Sequence, residues 1–107
     1  MRAPTPISVS PDEEELLKRG KTCEEFIQQP MWLEIEKFAN LVVEEALEQM
    51  RGNQSSDPVV AKHYQNVWRE RESFRDRLIL FVKGPIRAKK ELLIQIEEEK
   101  QYGRSAY

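Results

Sequence analysis

Residues 66–84, NVWRERESFRDRLILFVKG, decide how this chain folds. Their apolar residues keep helical time. With the residues just upstream, Val60, Tyr64, Val67, Arg71, Phe74, Leu78 and Phe81 alternate spacings of four and three. Six of these seven positions are apolar or aromatic, which is a coiled-coil-like seam. Arg71 is the exception, and it poses a choice between chemistry, an anion grip and helix register.

Working upstream, residues 53–57, NQSSD, form a polar turn. Asp57 can cap a helix and Pro58 suits its first position, so the spacing predicts a helix over about 58–82. Before the turn, residues 31–51 read as a second long helix, stopped by Gly52. Its inward face is Trp32, Ile35, Phe38, Ala39, Val42, Ala46 and Met50. Leu33, Leu41, Val43 and Leu47 widen that face, which implies more than one neighbour. So short a connection makes antiparallel neighbours. Pairing outward from the turn sets Ala39 against Arg71 and Ile35 against Phe74, a small residue facing the arginine.

Further upstream, Ser10-Pro11-Asp12-Glu13 is a capping box opening a short helix over 11–19, with Gly20 as its stop. Thr22-Cys23-Glu24-Glu25 repeats the pattern and opens a helix over 23–29, which Pro30 ends or replaces by the next. Residues 1–9 read as an extended tail. Downstream, Gly84-Pro85 interrupts the seam, and a last helix runs over 85–102. Its inner face is Ile86, Leu93 and Ile96, with Leu92 and Ile94 beside it. No strand signal or internal repeat occurs. The expected fold is all-α: a long antiparallel helical hairpin with short N-terminal helices and a C-terminal helix, one domain over 10–107.

Of the 107 residues, 39% are hydrophobic and 34% charged, a balance that suits a thin seam completed by another chain. Seventeen basic and nineteen acidic residues leave a net charge of −2, without the basic field of a general nucleic-acid binder. Cys23 is the only cysteine, so no intrachain disulfide is possible, and a reducing compartment is expected. No apolar run reaches membrane-span length, and the first residues lack the hydrophobic core of a signal peptide. An intracellular site is expected.

Arg71 reads as a register device that snorkels or pairs with Glu36, since a lone polar residue in a heptad core often serves that role. Arg69, Arg75, Arg77, Arg87, Lys89 and Lys90 are the residues a nucleic-acid reading would use. From 69 to 77, however, four arginines meet three acids, a pattern of solvated, ion-paired helix faces. His63 has no ligand at metal spacing, and nothing near it or Cys23 makes a nucleophile turn or an oxyanion hole. The runs Glu13–Glu15 and Glu97–Glu99 lie on exposed ends, and the four glycines are scattered. No catalytic, cofactor or metal residues are assigned, and no small-molecule ligand is expected.

Two features point to partners. Residues 78–82, LILFV, are apolar on every side of their helix, so Ile79 and Leu80 need a cover that the seam does not supply. The interface candidates are Leu78, Ile79, Leu80, Phe81, Leu92, Leu93, Ile94 and Ile96. The last helix also carries Arg87, Lys89 and Lys90 in its first half and Glu97 to Glu99 near its end, against the helix dipole. Either this is a small tolerated misfit or an antiparallel copy of the helix turns it into complementary pairs.

Pro30-Met31-Trp32, a long helix, a polar turn, and RERESFRDRLILFVKGP over residues 69–85 together form a wider pattern. Over about residues 26–86 it resembles small helical proteins encoded in the structural-gene regions of tailed bacteriophages. Many of those carry a glycine near the middle of the second helix, where this chain has Arg71 or Glu72. The resemblance implies a non-enzymatic structural or virion-assembly protein in the bacterial host cytoplasm or the virion. Its expected partners are further copies of itself or other virion proteins. The alternatives are a DNA-packaging or regulatory nucleic-acid binder and a small adaptor for a host protein.

Overall fold

A computed structural model describes residues 9–102, and these are helical throughout apart from short connections. The elements are α1 (Pro11–Ile27), α2 (Pro30–Gly52) and α3 (Pro58–Gln101). Most of the expected tail lies outside the described residues.

The helix starts obey local chemistry. Ser10 Oγ accepts from the Glu13 amide at 3.2 Å, and Glu13 Oε1 accepts from the Ser10 amide at 3.1 Å, a closed capping box. Pro30 takes the first turn of α2, where a missing N–H costs nothing. Between α2 and α3, Asn53 Oδ1 accepts from the Ser55 amide and Ser55 Oγ from the Asp57 amide. Asp57 Oδ1 then accepts from the Val59 amide at 2.9 Å and caps α3.

The expected stops fail. In place of two short N-terminal helices there is one, α1, running through Gly20. The Thr22 hydroxyl does not cap; it donates back to the Lys18 carbonyl at 3.0 Å, inside the helix. Nor does Gly84-Pro85 end a helix, because α3 continues through Pro85 for 44 residues in all. Arg87, Lys89 and Lys90 therefore stand mid-helix, far from an N-terminus, and the expected conflict with the dipole there disappears.

The chain divides into two compact units, one formed by residues up to Phe26 with those from Val82 on, the other by Ile27–Phe81. In the first, α1 packs on the C-terminal half of α3. Gly20, Val82 and Leu92 are buried there. Gly20 is an approach point: a Cβ on it would lie 2.5 Å from Lys89 Cβ and 2.9 Å from the Pro85 carbonyl oxygen. Beside it, Lys89 Nζ donates to Glu24 Oε1 in a partly buried ion pair. Leu92, expected at an interface, is core here, and Leu93, expected inside, is 46% exposed.

In the second unit the core is Trp32, Ala39, Val43 and Ala46 of α2. Residues 32, 36, 39, 43, 46 and 50 are all buried or half-buried, with spacings of four and three. The expected inward face therefore holds at Trp32, Ala39 and Ala46 but not at Phe38, which is 66% exposed. On α3 residues 61, 64, 68, 71, 75, 78, 82, 85, 89, 92 and 96 are all buried or half-buried, in fours and threes, and 60, 67, 72, 79, 84, 86, 88 and 99 beside them are half-buried too. Phe74 and Phe81 of the expected seam are 66% and 64% exposed. Arg71, Arg75 and Lys89 are half-buried instead; their long aliphatic stems can cover apolar surface, while the head of Lys89 pairs with Glu24 and that of Arg75 bonds Asn40 and Asp76.

Candidate functional site

Residues 35–42 of α2 lie across from residues 70–78 of α3, and an open cavity of about 270 Å³ runs between them. Ile35, Phe38, Ala39 and Val42 form one wall. Phe74 and Leu78 form the other, with Glu70, Arg71 and Arg75 at the rim. A second, shallower hollow continues along α3, lined by Phe74, Arg77, Leu78 and Phe81. The lining follows from helical spacing. Positions 31, 35, 38 and 42 form a stripe one residue out of step with the sheltered one on α2. On α3 positions 67, 71, 74, 78 and 81 keep the same spacing, with 71 and 78 shared with the sheltered set. Of these residues Met31, Phe38, Phe74 and Phe81 are exposed and the others half-buried, so each helix keeps an apolar edge beyond the face its neighbour covers.

Arg71 is half-buried and faces this cavity beside Ala39 and Phe74. A side-chain bond across the helices lies one turn on, where Arg75 Nη1 donates to Asn40 Oδ1 at 3.4 Å, while its Nε donates to Asp76 Oδ1 at 3.1 Å. Trp68, on the sheltered stripe, has its indole N–H buried with no hydrogen-bond acceptor among the described residues. It is thus part of the packing and not an open stacking platform.

The interface candidates scatter. Leu78 lines the cavity, Leu80 and Phe81 are exposed, and Ile79 is half-buried. In the other unit Ile94 is 59% exposed, while Ile96 is half-buried. The basic residues scatter too. Arg69, Arg77, Arg87 and Lys90 are exposed, Arg75 bonds to Asn40 and Asp76, and Lys89 pairs with Glu24. His63 is exposed, its ring edge-on to Tyr64 with centroids 5.6 Å apart. Among the described residues no three His, Cys, Asp or Glu side chains gather as metal ligands. No helix among them is long and apolar enough to cross a membrane.

Sequence reasoning missed Phe38 and Phe74 as outward-facing, having placed them inside; Phe81, placed both in the seam and among the interface candidates, is exposed. Comparisons with protein-family models, curated proteins and solved structures find no match to this chain.

Proposed function

We propose that the chain is a non-enzymatic bacteriophage structural or virion-assembly protein that acts through helix–helix contacts. Its working part is a long antiparallel hairpin of α2 and the first half of α3, joined by residues 53–57. The observation that carries this reading is the open groove: Phe38 and Phe74 line it at 66% exposure each, on heptad positions, where a further helix would cover them. The phage context rests on the resemblance over about residues 26–86. The nucleic-acid alternative is weakened because Arg75 and Lys89 already bond to Asn40, Asp76 and Glu24.

Mass spectrometry of purified particles and assembly intermediates from a phage encoding the chain tests the reading. Peptides of the chain at a stoichiometry above background are expected. Their absence from both fractions would remove the assembly role.

A further inference from the structure

We propose that the groove between α2 and α3 is closed by the same groove of a second copy, giving a twofold dimer whose core is a four-helix bundle. This deepens the assembly reading by naming the first partner. Three observations lead there.

The first is area. Phe38, Phe74 and Phe81, each exposed by close to two-thirds, hold out on the order of 400 Å² of apolar surface. Met31, at 62% exposure, continues the α2 stripe. That is the scale of the largest apolar patch on a monomer, and such patches often mark a contact site. A standard interface takes about 800 Å² per partner, and in homodimers about two-thirds of it is apolar. The open stripe therefore comes near what one side of a dimer must supply.

The second is phase. The exposed pairs Met31 and Phe38 on α2, and Phe74 and Phe81 on α3, are each seven residues apart, so each recurs once per heptad along one edge of its helix. A helix of a four-helix bundle packs on two neighbours and needs an apolar heptad edge beyond the face its hairpin partner covers. A flat or irregular partner would not require heptad order in what it touches.

The third is charge. Residues 30–52 carry five acids and two bases, while residues 58–81 carry three acids and five bases. Each copy thus flanks its groove with one acidic and one basic helix. With the twofold axis along the bundle, the acidic helix of one chain lies along the basic helix of the other, so the surface is complementary to itself.

Sedimentation equilibrium of the full chain at micromolar concentration tests this. The parent is expected at twice the chain mass. Phe38→Glu and Phe74→Glu are each expected to weaken the dimer by at least about 30-fold, as loss of a central aromatic anchor does. Both sites are solvent-facing in the single chain, so far-ultraviolet circular dichroism should be unchanged. Phe38→Ser and Phe74→Ser provide the same test if a glutamate disturbs folding. Leu93→Glu, exposed in the other unit, is expected to leave the dimer intact. A monomeric parent, an assembly of any other copy number, or a dimer insensitive to the phenylalanine variants overturns the proposal. A monomer still found in particles overturns the dimer alone; a dimer absent from particles and intermediates overturns the assembly role alone.

Discussion

Gly20 sits where α1 meets the C-terminal half of α3 most closely, and two effects compete there. An alanine at a helix interior position gains about 1 kcal/mol over glycine. Its Cβ, however, would stand 2.5 Å from Lys89 Cβ and 2.9 Å from a backbone oxygen, neither of which moves freely. Overpacking of that kind costs about 1–3 kcal/mol. Gly20→Ala is therefore expected to lower stability despite better helix propensity, read as a lower urea midpoint. A raised midpoint would mean that the two helices separate at little cost. Arg71 poses the opposite case. It is half-buried on the sheltered stripe and faces an apolar cavity. Leucine keeps the stem's packing and removes a partly desolvated charge. Arg71→Leu is expected to preserve helical content and to hold or raise the thermal midpoint. A loss of several kcal/mol would instead reveal a satisfied network around the guanidinium.

At the scale of the element, the continuity of α3 through Gly84-Pro85 is the main departure from local rules. An interior proline removes a backbone hydrogen bond and costs about 3 kcal/mol, and an interior glycine about 1 kcal/mol. Val82 before the pair and Leu92 after it are buried, and each contributes about 1.5–3 kcal/mol by burial. Packing on both sides thus offsets the break. Pro85→Ala restores the missing donor while giving up some stiffening of the unfolded chain, worth about 0.4–1 kcal/mol. A net gain of about 2 kcal/mol is expected in chemical denaturation. A loss would show that the half-buried proline ring is a packing piece in its own right. The start of α1 obeys its local signal instead. With both arms of the capping box in place, Ser10→Ala is expected to cost about 1 kcal/mol. An unchanged midpoint would show that the first turn is frayed.

For the whole molecule, charge decides what the surface does not do. The net charge is −2, and two of the six basic residues that a nucleic-acid reading would use already bond within the chain. Non-specific duplex binding draws on released counterions and needs a basic face. No binding of duplex DNA is expected near physiological salt in a mobility-shift or anisotropy titration. Micromolar binding that falls steeply with salt would return the nucleic-acid reading to first place.

The helical class and the starts of all three helices were legible in the sequence, because caps are local. Ser10 with Glu13, Pro30, and Asp57 with Pro58 act within one turn of chain and need nothing distant. Two things depended on tertiary structure. One is where helices end: Gly20 and Gly84-Pro85 look like stops, but packing against a distant segment outweighs a local penalty of a few kcal/mol. The other is the phase of the buried stripe. Apolar residues on α2 and α3 spread over more than one heptad register, so periodicity alone does not fix which face is buried. In the fold Arg71 and Arg75 are half-buried while Phe74 and Phe81 are exposed. Hydrophobicity ranks residues one at a time, whereas a helix can only rotate as a whole.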